Sequence, residues 1–473
     1  MTNILKRHRL FVYQILISLI VTFPAVAGET DASKIIPDTA LTLPAVGTSY
    51  TDPAFGTQTV RIGQNMRPEY SQLQAWNADM SLLLVNSLQI IDVKTYKVLH
   101  TVDYKWPAWG NALRWSPTDP LTLYYLGGDF PGCLGAAFMK YKLTSGATML
   151  GQPILVKCFP EYEKFLKDES FEELSDDGRY VALLARKPTS SNSFGWVAEA
   201  FVYDIQADVK HKALELPVDA TWGPRTCDHI QVSPSGKYAL LQCAGGTARF
   251  YGFEAFDLEM NYIGKVHTGN AHGDVGRDAN GNDVAVIDNA NNAYLLTDKH
   301  YIVMAKIPQG VIFNGSGNVD ASATLSGSAT VPLLELDWKH NMHISCRNSK
   351  TPGFCVVSTY SAQDGFNNGW QTFEDEVFKL YIDSRNTSAH VERLAHHRSR
   401  FSAFSGQDIC APYTEYWAQP HATVSPDGNN ILFGSNWKRI CDEGDPVDAF
   451  VLTLSGIIKD LKAPAAPKNL TVK

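Results

Sequence analysis

Several absences narrow what this 473-residue chain can do. Beyond Phe23 no apolar run approaches the ~20 residues that a membrane-spanning helix needs, which excludes a helical span through the body of the chain. Positive charge is in deficit: 41 Lys and Arg stand against 49 Asp and Glu, so a nucleic acid or an anionic membrane is not an expected partner. No Cys-x-x-Cys spacing occurs, which argues against cysteine-held zinc. A Gly-x-Ser-x-Gly elbow, a His-Glu-x-x-His helix, a Walker loop and a dinucleotide fingerprint are all missing, and the chemistries they carry fall away with them.

What is present begins with an export signal. Lys6 to Arg9 is basic, Leu10 to Phe23 is apolar, and Ala25-Val26-Ala27 is a small-residue cleavage site, so residues 1–27 read as a signal peptide. Export to the periplasm or the extracellular space follows, with a mature start near Gly28. All eight cysteines lie in the exported part, where disulfides form. Cys227 and Cys243 are equidistant from Ser235, Cys346 and Cys355 flank Ser349-Lys350, and Cys410 and Cys441 flank Ser425-Pro426. Antiparallel pairing about those turns sets each couple face to face, and Cys133 and Cys158 are left for each other.

The stretch Gln419 to Asn436 reads as a tight β-hairpin, with Ser-Pro-Asp-Gly at 425–428 between two strand-like runs. It recurs as His229 to Leu240 and as Phe171 to Ala182, and further hairpin starts fall around Trp76, Trp115, His272 and His343. Seven starts, most followed by a second strand pair such as Phe201 to Asp204 or Phe378 to Asp383, predict an all-β, seven-bladed propeller of four-stranded blades over residues 57–460. Residues 28–56 precede it as an extension, Thr57 to Ile62 is a candidate outer strand for closing the last blade, and 461–473 is a Pro/Ala-rich tail or linker. A monomer is expected.

The first strand of each blade lines a propeller's central channel, so equivalent positions of successive blades converge. His229, His272, His343 and His421 stand at or near one such position in four consecutive blades. Imidazole is the commonest transition-metal ligand, and with Gln419, Asp228 or Asp274 nearby these histidines form a candidate divalent-cation site. The competing reading is that each histidine hydrogen-bonds into its neighbouring blade. Around the expected mouth stand Arg225, Trp338, Lys339, His340, the run His396-His397-Arg398-Ser399-Arg400, Tyr413, Tyr416 and Trp417. Aromatic faces suit sugar rings and cations suit carboxylates, although the same residues also serve blade packing and solvated loops. Asn280-Gly281 is read as a hairpin turn rather than as part of a calcium loop.

The Ser-Pro-Asp-Gly hairpins resemble those of bacterial Tol-type periplasmic propellers. More sharply, Gln419 to Gly428 with Ile431 to Asn436 resembles the metal-bearing blade of the oligogalacturonate lyases. The match falls on His421 as the last histidine of that motif, on Gln419 where the family carries the preceding one, and on His272 for the histidine of an earlier blade. The family's spaced glutamine has no counterpart. The resemblance implies a manganese-type cation, with zinc and calcium as alternatives, and β-elimination on an acidic oligo- or polysaccharide. It implies a base to be sought among His396, His397, Lys339, Arg225 and Tyr413, with Arg398, Arg400, Trp338, Tyr416 and Trp417 on the substrate. A non-enzymatic binding propeller with a structural metal or none is the other class of reading.

Overall fold

The computed structural model describes residues 28–86, 88–102, 113–127, 130–144, 151–166, 172–219, 223–224, 227–244, 249–269, 271–289, 299–324, 329–361, 369–382, 390–400, 414–439 and 447–454. The signal peptide, the tail, Arg225, Tyr413 and the couple Cys410–Cys441 therefore lie outside the described residues.

Seven antiparallel sheets follow one another around a ring. The recurrent turn explains why. In the last blade Ser425 Oγ donates to Asp427 Oδ1 at 2.6 Å, Asp427 Oδ1 also accepts from Asn429 N, and Asn430 N donates to Ser425 Oγ at 2.9 Å. Gly428 supplies the left-handed residue at φ +72°. Ser175, Asp177 and Gly178 repeat the turn residue for residue, with Ser175 Oγ on Asp177 at 2.6 Å, Tyr180 N on Ser175 Oγ at 3.0 Å and Gly178 at φ +70°. A polar side chain that bonds its own backbone fixes the turn, and the turn fixes the strand register on either side.

Blade 1 comprises Leu82–Val85, Gln89–Asp92 and Val98–Thr101. Blade 2 begins at Arg114–Trp115 and blade 3 at Lys164–Phe165, while blades 4, 5 and 6 begin at Cys227–Val232, Gly273–Arg277 and His340–Ser345. Blade 7 holds Thr423–Val424, Asn430–Ser435 and Asp448–Thr453, and Gln58–Gly63 pairs with the last of these. The N-terminal strand thus closes the ring. Ser49–Thr51 adds a fifth strand outside it.

Strand number departs from a uniform four. Blade 1 has three, because its inner segment makes only a bridge from Trp76 to Leu83. That segment turns its amides into the channel instead: Gln72 Nε2 bonds Gly273 O, Gln74 N donates to Glu173 Oε1 at 2.6 Å, and Gln74 Nε2 reaches Arg347 O at 3.0 Å. Blade 1 therefore ties itself to blades 3, 5 and 6 across the axis.

Between blades the inner faces are apolar. Ile62, Trp76, Leu83, Ile91, Leu432 and Val451 weld the closing blade to blade 1. Each such side chain withdrawn from water is worth about 1.5–3 kcal/mol. Disulfides join Cys133–Cys158, Cys227–Cys243 and Cys346–Cys355, and Cys227 faces Cys243 in the strand register as the turn symmetry requires.

The extension is a strap over blades 6 and 7. Glu29 N donates to Arg393 O at 3.0 Å, Arg393 Nη1 donates to Lys34 O at 2.6 Å, Trp437 Nε1 donates to Leu41 O at 2.9 Å, and Asp38 and Asp52 both bind Arg398.

Candidate functional site

At the end of the channel where the inner strands begin, three imidazoles come together. His272 precedes the inner strand of blade 5, His343 lies within that of blade 6, and His421 stands two residues before that of blade 7. The ring centroids of His272 and His343 are 4.9 Å apart and those of His343 and His421 4.3 Å. Gln419 joins them, its Oε1 2.6 Å from His343 Nε2. It is brought there by the short helix Thr414–Ala418, and His421 follows at φ +41°, a left-handed backbone that non-glycine residues rarely adopt.

An aromatic collar surrounds them. Tyr70 lies 5.2 Å from both His343 and His421, Tyr360 stacks on His343 at 5.1 Å, and Tyr416 and Trp417 face His421 at 5.2 and 5.9 Å. Arg67 lies over the Trp417 indole at 3.3 Å. Tyr416 and Trp417 are thus where the sequence pointed. Tyr70, Tyr360 and Arg67 were missed, since Tyr70 and Arg67 come from a segment without hairpin patterning and Tyr360 from the second strand of its blade.

Burial keeps His343 and His421 neutral. Burial, reinforced by Arg67 and His272, pushes His421 down to about 3. Burial, then the neighbouring His421 and His272, holds His343 well below the usual histidine range. His272 Nδ1 is 2.8 Å from Met342 O, which places the proton on that nitrogen and leaves Nε2 as an acceptor. Among the described residues, His421 Nε2 and His343 Nδ1 are buried without a hydrogen-bond partner.

Those orphaned nitrogens are the observation on which a cation can be tested. Neutral imidazoles with unsatisfied lone pairs are the protonation state that ligation requires, and Gln419 adds a carbonyl oxygen. Centroids 4.3–4.9 Å apart also suit neighbouring ligands on one ion, given metal–nitrogen bonds of about 2.0–2.1 Å. The residues fit in donor chemistry and spacing. As arranged here, no group of three or more His, Cys, Asp or Glu among the described residues is set to hold an ion. His343 Nε2 is turned to Gln419 rather than to a common centre.

His229 stands apart from the three. Its Nδ1 is 3.1 Å from Glu172 Oε1, and its Nε2 is 3.2 Å from Gln231 Nε2. Burial favours the neutral form of Glu172, but His229 and Arg114 outweigh it and hold the carboxyl below its ordinary range. His229 borders a narrow crevice shared with Ala271 and Gly273, the neighbours of His272. Asp274, weighed as a ligand, is buried and taken by Arg347 and by Cys346 N.

His396, His397 and Arg398 lie elsewhere. Each is buried: His396 Nε2 bonds Ile36 O at 2.9 Å, His397 Nε2 bonds Thr359 O at 2.8 Å, and Arg398 is paired with Asp38 and Asp52. His396 and Arg398 anchor the strap, while His397 is bonded within blade 6 and its exit. Arg400 exchanges main-chain hydrogen bonds with the Asn436 amide. Trp338 and Lys339 are exposed on the turn Asp337–His340 that leads into the inner strand of blade 6.

No family model matches the chain, and no curated protein matches it. Among solved structures it is similar to the oligogalacturonate lyase of Vibrio parahaemolyticus, with a TM-score of 0.53 and 10% identity over 86% of this chain and 96% of that one. It is also similar to TolB from Acinetobacter baumannii, with a TM-score of 0.31 and 13% identity over 70% of this chain and 64% of that one. The lyase likeness is one of fold: both are β-propellers, and this chain has the seven blades its hairpins predicted.

Proposed function

We propose that the protein is an exported, lyase-like enzyme that cleaves a uronate-containing glycan by β-elimination at the histidine mouth. The observation that carries this reading is the convergence of His272, His343, His421 and Gln419 inside a collar of Tyr70, Tyr360, Tyr416 and Trp417. The solved lyase of similar fold points to oligogalacturonate as the substrate to try first. Three disulfides agree with an oxidising compartment.

A divalent cation, manganese by resemblance, would be held by the three histidines and Gln419. When bound it would neutralise the uronate carboxylate and so acidify the neighbouring C5 proton. The protein's own groups supply the rest. Tyr416, the exposed member of the collar, offers a ring face to a sugar, and Arg67 over Trp417 adds positive charge at the rim. His229 is the proton acceptor in this reading: Glu172 at its Nδ1 would stabilise the imidazolium formed once Nε2 exchanges its contact with the Gln231 amide for the substrate proton. The C5–H bond breaks toward His229, its electron pair forms the C4–C5 double bond, and the C4–O bond breaks with its pair leaving on the departing sugar, which is then protonated. Among the bases weighed from the sequence, Lys339 is exposed on the Asp337–His340 turn.

The test is metal content by mass spectrometry beside ultraviolet detection of unsaturated product from polygalacturonate. Wild type is expected to hold one ion per chain and to release product. His272→Ala and His421→Ala should lose both, while His229→Gln should keep the ion and lose turnover. An ion-free wild type after incubation with manganese, zinc or calcium removes this mechanism. A second reading, a non-enzymatic binding propeller, is favoured by the His343–Gln419 bond, in which two proposed ligands satisfy each other. It predicts that the polymer binds and stays intact.

A further inference from the structure

Beside the histidine mouth, Trp338 has an unusual support. The residue is 47% exposed, yet its indole stacks at 5.1 Å on His300, a fully buried histidine. Both His300 nitrogens are engaged, Nε2 with Asp288 at 2.5 Å and Nδ1 with Asp337 O at 3.2 Å. Asp288 outweighs burial and raises the His300 pKa. Asp337 and the buried His340 are the other titratable groups it senses. An indole stacked on a buried ring that is itself bonded at both nitrogens has a fixed seat.

The support is also wired to the mouth. Asp288 N donates to His272 O at 2.8 Å, so the residue that fixes His300 is hydrogen-bonded to one of the three mouth histidines. On the other side, the turn carrying Trp338 runs directly into the strand bearing His343. The indole is therefore placed by the same two blades that place His272 and His343.

We infer that Trp338 is a sugar-binding platform next to the histidine mouth, which stacks the ring adjoining the one held by the histidines and makes the site selective for oligosaccharides over monosaccharides. This rests on the glycan reading above and deepens it. Apolar C–H faces of a pyranose match the indole face, and a rigid aromatic loses little conformational freedom on binding.

Calorimetric titration with galacturonate and with tetragalacturonate, both in the presence of manganese, tests it. Wild type is expected to bind the tetramer well above the monomer. Trp338→Ala should weaken the tetramer about tenfold and leave the monomer within about twofold, since aromatic stacking adds roughly 0.5–1.5 kcal/mol beyond buried area. Trp338→Phe, which keeps a stacking face, should restore most of the difference. Equal losses for both ligands, or none for either, overturn the platform while leaving the glycan site standing. A wild type that binds neither ligand overturns the glycan reading and the platform together.

Discussion

His397 and His421 are both fully buried, and desolvation pushes both down to about 3, so both are neutral imidazoles at neutral pH. They differ in what their nitrogens meet. His397 Nε2 bonds Thr359 O at 2.8 Å and its Nδ1 accepts from Ser399 N at 3.0 Å, so the ring is satisfied on both sides. His421 Nε2 has no partner and faces other imidazoles and aromatic rings. Burial and charge state are thus common to a structural histidine and a site histidine. Hydrogen-bond satisfaction separates these two rings, because a buried polar atom left unpaired in an ordered protein calls for a reason, although among the described residues His396 Nδ1 and Arg398 Nε in the strap anchor are also buried without a hydrogen-bond partner. Backbone strain does not separate them either: Arg398 in the strap anchor and His421 at the mouth both have positive φ, at 58° and 41°.

The largest expected effect lies on the anchored side. Arg398→Ala leaves Asp38 and Asp52 buried without their shared guanidinium, and loss of one partner in such a buried network costs about 3–5 kcal/mol. Urea unfolding should show that loss, with any activity falling only as the folded fraction falls. His421→Ala removes a ring that satisfies no hydrogen bond. It should cost far less stability while abolishing ion retention. Similar stability losses in the two variants would break the distinction drawn here.

Acid sharpens it. A histidine whose folded pKa is about 3 against an unfolded value near 6.5 binds more protons when unfolded, so its contribution is present above about pH 6.5 and is lost as pH falls toward 3. Unfolding free energy is expected to fall through that window by up to about 1.4 kcal/mol per pH unit for each such histidine. His421→Gln should flatten the slope at little cost at neutral pH. His397→Gln should flatten it too, but from a lower starting stability, because its carbonyl and amide partners lose a well-placed ring. A stability independent of pH between 6.5 and 3 would count against both buried neutral imidazoles.

The same contrast explains what was readable in the sequence. The hairpin turns were, since Ser, Asp and Gly at fixed offsets bond their own backbone. The three described disulfides followed from the symmetry of those turns or from elimination, and Gln58–Gly63 closes the ring where the run Thr57 to Ile62 had suggested it. His272, His343 and His421 converge because repeat position is a sequence property. His229 occupies an equivalent position but is diverted by Glu172, a neighbour supplied by the preceding blade through no local pattern. The run at His396–Arg398 looked like a basic loop and is buried instead: His396 and Arg398 seat the strap through Ile36, Asp38 and Asp52, some 350 positions away in sequence, and His397 bonds Thr359 O. Long-range partners decide whether a polar residue is structural, and no local spacing encodes them.

The smallest expected effect carries the contrast to a carboxylate. Glu173 lies in the channel, where burial, opposed by Arg347 and Arg114, pushes it up to about 7. Its Oε1 accepts from Gln74 N at 2.6 Å, the bond by which blade 1 is tied across the axis. With a folded pKa above the unfolded 4.5, its contribution is present below about pH 4.5 and is lost as pH rises through about 7. Glu173→Gln keeps the acceptor and the shape without the charge. It should match wild type at pH 5 and be about 1–2 kcal/mol more stable at pH 8, read by urea unfolding at both values. If it is less stable at both, the ionised carboxylate is needed as a counter-charge to Arg347. Glu173 then belongs with the paired groups of the strap anchor rather than with the unsatisfied groups of the mouth.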